Sequence, residues 1–564
     1  MKNEEGLARR PEGESQFAAA NQTDDKNRAA YPFYSWMPKP LGCLVLFLMF
    51  FPVTFSGGAY MNNLAEMAGG MGVHSEDIQL ASYATSIGMA LFAPFMAGLM
   101  TIRRVKHLFM RAMLILLALN GVIAVADNVV VTIAACLVIG FFRVMLMMNI
   151  TFTLVKYGMG IDALSQFVLT EEPSLADREK AEHARSWQMA GYYGVMLIIA
   201  QLGNVLTAYY AWHATWRHAY YVVMVMLLVA LLLVKFTMPD EEKKTAYRWE
   251  WKKMPLALCL ALMMTSLTYI LVCGKTLDWF SSPRILWAVV VLLVSSAGYL
   301  WLSGRVEGLH WEILSLKNVW LSALLFTVLM VLFSCSMFVS TFAKLSTQAG
   351  NLDAGMLASW AIVGCVIGLL IAAAMAFARV HFRWILAAGF GLLLVADIYL
   401  YFQYQTEGSF DHMVVVTIIN YAGLFIPYAM LVPLGMKHLP VRYMTTYIFI
   451  FLFFRNALAP VAGMSLYSNW LQERQQHYIQ RLAQNVDNEN LQAATYDYGM
   501  RRMGQARGGS TLEAQQLSAT ALRGKITVQA TLVAMRDITG TTIWLLVGTI
   551  AFVLFFPYHR DEYA

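Results

Sequence analysis

The stretch 274-GKTLDWFSSPRI-285 decides how the rest of the chain is read. It is a short polar and aromatic turn between two long apolar runs, near the midpoint of 564 residues. About six apolar runs precede that pair and about six follow it. The arrangement predicts a helical hairpin inserted between two halves of a polytopic membrane protein, with Gly274–Ile285 as its cap. Asp278 and Trp279 read as an interfacial turn and anchor.

Composition agrees with this. Hydrophobic residues make up 59% of the chain, charged residues only 13%, and mean hydropathy is +0.54. A soluble domain is nearer half apolar and a quarter charged. The six cysteines, at positions 43, 136, 259, 273, 335 and 365, sit in or beside apolar runs without CxxC spacing, as buried inert thiols do. Residues 1–38 are polar and mixed in charge, too long for the basic region of a signal peptide, and read as a disordered cytoplasmic tail.

Runs of about 18 to 25 apolar residues can cross a hydrocarbon core about 30 Å thick. Such runs place spanning helices near 40–60, 81–101, 108–126, 129–154, 187–209, 218–237, 255–273, 285–303, 319–343, 355–377, 383–402, 413–435, 443–468 and 538–557, about fourteen in all. The fold class is therefore all-α. With the N-terminus inside, the inner segments carry 27 Lys and Arg and the short outer loops four, which puts both termini in the cytoplasm.

Two connections stand out. Residues 156–185 form a polar cytoplasmic excursion, with a short amphipathic surface helix expected after Pro173. Residues 469–537 read as a helical hairpin on the outer face. Leu471, Tyr478, Leu482 and Val486 are spaced for a helix leaving the membrane, and Ser510 with Glu513 forms a capping-box signature for a second helix.

Charges inside apolar runs are costly and usually face a cavity or a partner. Arg143 lies in the fourth run, Arg455 in the thirteenth and Asp397 in the eleventh; these are the candidates for transport and proton coupling. Snorkelling of the arginines, and solvation of Asp397 at a helix end, are the plainer alternatives. Lys344, Asp127, Glu66 and Asp537 fall near helix ends, where solvated charge is the default. Asn149, Asn204, Gln201 and Gln188 can line a path or join helices. No Walker loop, HExxH, GxSxG or His/Cys cluster at metal spacing occurs, so neither ATP hydrolysis nor enzymatic chemistry finds support, and no cofactor or nucleic-acid partner is expected.

These motifs together resemble the major facilitator superfamily, in particular its fourteen-spanner drug:proton antiporters, the EmrB-type multidrug exporters. GKTLDWFSSPRI is similar to the GxxLDWFxS turn between the two extra helices of that family. The segment SYATSIGMALFAPFMAGLMTIRRVKHLFM resembles the helix 2–3 region, whose conformational-coupling loop would here comprise Gly98, Arg103, Arg104 and Lys106. Arg143 matches the helix 4 arginine, WRHAYY the WRxxF turn and FFRNALAPVAG the helix 13 segment. Gly203 and Asn204 fall in the helix 5 antiporter-like segment. The chain departs from the pattern where Ile102 and Val105 replace the loop's Asp and second Gly, and where Asn204 replaces the helix 5 Pro.

The resemblance implies a 6+2+6 arrangement: an N-terminal bundle over 39–238, a linker with two extra helices over 239–304, and a C-terminal bundle over 305–564. It implies alternating access and proton-driven export of small amphipathic molecules or drugs from a bacterial inner membrane. It also implies a periplasmic adaptor and an outer-membrane channel docking on 469–537. A facilitator carrying a siderophore, lipid or metabolite, and a non-transporting scaffold or sensor, remain open alternatives.

Overall fold

The computed structural model describes residues 33–558 apart from 35, 61–63, 96–104, 160–174, 241–250, 306–310, 347–349, 406–407, 438, 440–442, 485 and 487–489. Eighteen α-helices are described. In chain order they are α1 Lys39–Phe55, α2 Leu64–Met71, α3 Ser75–Leu91, α4 Val105–Val125, α5 Val129–Met159 and α6 Leu175–His213. Next come α7 Trp216–Thr237, α8 Met254–Cys273, α9 Pro283–Ser303, α10 Lys317–Phe333, α11 Met337–Ser346 and α12 Asn351–Phe377. The last six are α13 Phe382–Gln403, α14 Phe410–Met436, α15 Met444–Phe453, α16 Ala459–Ala483, α17 Leu491–Ala506 and α18 Thr511–Phe555. No strand occurs among the described residues. Lipid offers backbone groups no partner, so a spanning chain satisfies them within its own helices.

Each of the fourteen expected spanners has a helical counterpart, though residues 96–101 of the second lie outside the described residues, and among the described residues eleven segments are long and apolar enough to cross a membrane. The chain is an integral multi-pass membrane protein. The boundaries move in instructive ways. The first spanner ends at Phe55 instead of residue 60, because Ser56–Tyr60 leaves the helix and Gly58 takes φ +73°. The short surface helix expected after Pro173 is instead the start of α6, 39 residues without a break. At 1.5 Å per residue that is about 58 Å. The ninth spanner breaks at a 3₁₀ turn, Ser334–Ser336, between α10 and α11. The thirteenth is interrupted by a π turn, Phe454–Leu458, between α15 and α16. Pro460 follows at once; it has no N–H for the i−4 carbonyl, and the wider turn absorbs the mismatch.

Helices α1, α3, α4, α5, α6 and α7 pack on one another, and so do α10, α12, α13, α14, α16 and α18. Helix α6 lies along α12 and α14, while α3 touches the π turn, so the two sets meet through these elements. Between membrane helices little hydrophobic drive exists, and close packing of small residues replaces it. A Cβ on Gly88 of α3 would sit 2.0 Å from the Leu137 carbonyl of α5, and one on Gly140 of α5 2.0 Å from the Thr85 carbonyl. The second set repeats the device: a Cβ on Gly364 of α12 would sit 2.5 Å from the Ile418 carbonyl of α14. In each set the second and fourth spanners cross backbone to backbone.

The extra pair α8 and α9 packs together, and α8 rests on α3 and α16. The Gly274–Ile285 turn is tightly folded, with Asp278 at φ 53° and Trp279 at φ 50° in the left-handed region. Lys275 Nζ donates to the Asn469 carbonyl at 2.9 Å, and Asn469 Nδ2 donates to the Leu271 carbonyl at 3.3 Å. These two hydrogen bonds tie the turn and the end of α8 to α16 where that helix begins its polar extension. Residues 469–537 contain the end of α16, all of α17 and the first part of α18. Arg474 pairs with Asp537 at 3.4 Å, and Gln475 Nε2 donates to Thr531 Oγ1 at 2.7 Å. The Ser510 amide donates to Glu513 Oε2 at 2.7 Å, and the Glu513 amide to Ser510 Oγ at 3.3 Å, closing the capping box of α18.

Because backbone is the obstacle at both crossings, Gly140→Val is expected to destabilise the protein by about 1–3 kcal/mol. Thermal unfolding in detergent reads this, with Gly391→Ala, where nothing lies within 4 Å, expected to leave the midpoint unchanged.

Candidate functional site

Three polar centres lie inside the helical mass. The first surrounds the irregular segment Ser56–Tyr60 after α1. Three of the carbonyls freed at and after the helix end accept from side-chain hydroxyls instead. Thr85 Oγ1 on α3 donates to the Gly57 carbonyl at 2.9 Å, and Tyr220 OH on α7 to the Gly58 carbonyl at 2.8 Å. Tyr60 OH donates to the Phe55 carbonyl. Asn120 on α4, fully buried, donates to Ser56 Oγ at 2.7 Å. A side chain at Gly58 would collide with Thr85 Oγ1 and Cys136 Sγ, so its positive φ and its lack of a Cβ are both required here.

Arg143, near the middle of α5, reaches this segment. Its Nη1 would lie 3.6 Å from a Cβ on Gly57, which would also meet the Tyr60 ring at 3.2 Å and the Phe55 carbonyl oxygen at 3.7 Å. The Arg143 Nε is enclosed and has no hydrogen-bond partner among the described residues.

The second centre lies where the two helix sets meet. Arg455, 8% exposed, sits in the π turn. Its guanidinium carbon is 4.8 Å from the Tyr428 ring centroid of α14, and its Nη2 contacts Met196 Sδ of α6 at 3.5 Å. It therefore joins the two sets through soft, polarisable groups. Beside it on α6, a Cβ on Gly194 would meet Phe425 at 3.3 Å and Leu369 at 3.4 Å. Two to three turns further along, Asn204 Nδ2 donates to Gln201 Oε1 at 3.2 Å, and Gly203 lets α6 approach Phe55 of α1.

Asp397 occupies a third centre, away from both arginines. It is 4% exposed on α13, so the alternative of simple solvation at a helix end does not describe it. Its neighbours include the Cys335 thiol and the Tyr404 and Tyr467 phenols. Tyr404 OH and Thr539 Oγ1 lie 3.0 Å apart, and Tyr467 OH and Thr542 Oγ1 2.8 Å apart. Among the described residues no ion pair or hydrogen bond joins Asp397 to Arg143 or Arg455.

The other expected positions are as follows. Gly98, Arg103 and Arg104 lie outside the described residues; Lys106 is half-buried in the first turn of α4. Asp127 pairs with Arg217 of the WRHAYY segment at 2.5 Å. Asn149 turns back to the Met145 carbonyl of its own helix at 2.8 Å. Tyr60, Thr85, Asn120, Tyr220, Met196 and Tyr428 were not singled out from the sequence. The paired Gly57-Gly58 within an apolar run was the available sign of a helix break that needs donors from elsewhere.

This arrangement is the major facilitator fold, an all-α membrane architecture. The chain is similar to the crystal structure of tetrameric PepTSo2, with TM-score 0.50 and 13% identity over 91% of this chain and 98% of that one. Nucleoside transporter NupG (D323A mutant) aligns at TM-score 0.49 and 10% identity over 90% and 99%. The human organic anion transporter MFSD10 aligns at 0.45 and 14% over 90% and 100%. No family model and no curated protein matches the sequence. At 13% identity the likeness to PepTSo2 speaks for the fold alone.

Asn120→Ala removes the donor that holds Ser56 and leaves a buried hydroxyl with one partner fewer. A loss of about 1–3 kcal/mol is expected, measured as a lower unfolding temperature in detergent. Thr85→Ser, which keeps the hydroxyl on Gly57, is expected to stay close to the parent.

Proposed function

We propose that the protein is a secondary transporter that works by alternating access and exports small amphipathic molecules, including drugs, by proton antiport. The bundle over 39–238 would rock against the bundle over 305–564, with the helices of 239–304 riding between them. The observation that carries this reading is the seat of Arg455: a buried cation between helix sets, contacting Met196 on one side and Tyr428 on the other. In facilitator-type transporters the substrate site lies at such an interface. Thioether and aromatic walls adapt to varied apolar shapes. Asp397, buried within the second set near hydroxyls and a thiol, would carry the proton.

The family resemblance extends the proposal to a bacterial inner membrane, cytoplasmic termini, and an adaptor with an outer-membrane channel on 469–537. A second reading is a facilitator of another cargo, such as a siderophore, lipid or metabolite. It is favoured by α6, which runs unbroken through Gly203 and Asn204 where the antiporter pattern has proline. Under either reading no bound cofactor is required.

In proteoliposomes with an imposed proton gradient, the protein is expected to accumulate an amphipathic fluorescent dye against its gradient. Asp397→Asn is expected to abolish dependence on the proton gradient, and Arg455→Ala to slow transport at least tenfold. Transport indifferent to the gradient would overturn proton coupling. For the assembly, deletion of 475–530 is expected to end copurification with the adaptor, and retention of the adaptor would remove that part of the proposal.

A further inference from the structure

A buried acid that gains and loses a proton needs a path to water. Asp397 is 4% exposed, and among the described residues its carboxylate has neither a cation nor a hydrogen-bond donor for a partner. The titratable groups beside it are Cys335 from the 3₁₀ turn Ser334–Ser336, Tyr404 at the end of its own helix and Tyr467 from α16. Helices α14 and α18, packed on α13, bring His412 to Tyr399 and Arg536 to the Tyr401 ring, and neither pairs with Asp397. Cys335, Tyr404 and Tyr467 belong to one string of hydrogen bonds. Tyr404 OH and Thr539 Oγ1 are 3.0 Å apart, and Thr539 Oγ1 and Cys335 Sγ 3.7 Å. Cys335 also bonds Thr542, whose Oγ1 lies 2.8 Å from Tyr467 OH. The break in the ninth spanner puts the thiol between two hydroxyls that sit one turn apart on α18. Every member of the string is buried, within an apolar sleeve that includes Phe338, Phe342, Leu400, Met535 and Ile538.

Hydroxyl bonds between membrane helices ordinarily serve as glue. Here the polar contacts continue along the seam of α16 and α18 toward the hairpin of 469–537. Beyond Tyr467 and Thr542 the seam carries Arg474 with Asp537 at 3.4 Å, and Tyr478 OH donating to Asp537 Oδ2 at 3.3 Å. The Asp537 side chain is 36% exposed. From Thr542 to Asp537 the rise along α18 is about 7.5 Å, which about two bridging waters cover. We propose that Tyr467, Thr542 and Cys335 form the proton path between Asp397 and the hairpin side of the membrane, with Asp537 at its mouth. This rests on the transport reading, in which Asp397 carries the proton. Tyr467 takes a proton from the mouth and gives its own to Thr542. Thr542, whose hydrogen now goes to the Ile538 carbonyl at 3.0 Å, turns and passes it to Cys335. Cys335 delivers its hydrogen to the Asp397 carboxylate. Each member gives one proton and takes one, so the string is neutral before and after, and only Asp397 changes charge. Thr539 and Tyr404 hold the other side of the thiol.

The test follows the carboxyl stretching band of Asp397 by time-resolved infrared spectroscopy after a pH jump, on the full-length protein oriented in proteoliposomes. Loss of the band in Asp397→Asn identifies it. A jump on the hairpin side is expected to protonate Asp397 about tenfold faster than a jump on the opposite side. Cys335→Ala and Thr542→Val are each expected to slow that step about tenfold or more, the scale of a lost proton-transfer group, with the titration midpoint unchanged. Cys335→Ser and Thr542→Ser, which keep a hydrogen to pass on, are expected to restore most of the rate. Groups that only join helices would lower the unfolding temperature and leave the rate alone. Rates unchanged in both Cys335→Ala and Thr542→Val, or protonation as fast from the opposite side, would overturn the path. Should Thr542→Val fail to fold, Cys335→Ala and Tyr467→Phe still decide. The two ideas fail separately: a band that never titrates removes proton coupling and the path with it, whereas a band that titrates at rates these variants do not move removes the path alone.

Discussion

The approach of α3 to α5 at Gly88 and Gly140 is the contact on which the rest of the architecture depends. Lipid tails are as apolar as leucine, so these helices gain little from hiding side chains from water. What holds them is contact, and contact at this range needs positions without a Cβ. The crossing sets the place of Thr85, which serves as both a packing residue and a donor to the Gly57 carbonyl. It also sets the height of Arg143 on α5. The second helix set repeats the geometry at Gly364, as an internally repeated fold would.

Within that frame the chemistry gathers where helices stop being regular. Ser56–Tyr60 and the π turn Phe454–Leu458 are the two interruptions that bear on the arginines. In lipid an interruption is tolerated only when other groups satisfy the backbone it frees. At the first, three hydroxyls do so, those of Thr85 on α3, Tyr220 on α7 and the segment's own Tyr60. At the second, the turn stays hydrogen-bonded in a wider form, and the extra residue turns Arg455 toward α6. Irregular backbone and buried charge thus come as a pair in each helix set.

Much of this was legible in the sequence. Long apolar runs and the scarcity of charge gave the all-α membrane class, and the fourteen positions all have helical counterparts. The ends were less legible, for physical reasons. Hydropathy registers lipid, not hydrogen bonding, so it ran α1 through Gly57-Gly58 and missed that the helix had ended at Phe55. It also stopped α6 and α18 at their polar ends, although backbone continues helically through charged segments as readily as through apolar ones. The three charged candidates were visible because charge inside an apolar run is rare. That Asp397 stands apart from both arginines is a fact of tertiary packing with no sequence signal. The donors around Ser56–Tyr60 come from residues 60 to 220, a spread no local pattern encodes.

The length of α18 has a mechanical side. Its 45 residues make one uninterrupted rod, capped at Ser510 and packed on α13 and α16. The part from Thr511 to Asp537 spans about 40 Å at 1.5 Å per residue. A tilt of about 10° about Asp537 therefore carries the far end about 7 Å sideways, given that rise. Helix α18 is a lever arm. Small reorientations among the membrane helices it touches emerge enlarged at the Ser510 cap, and a load applied there returns to the same helices as torque.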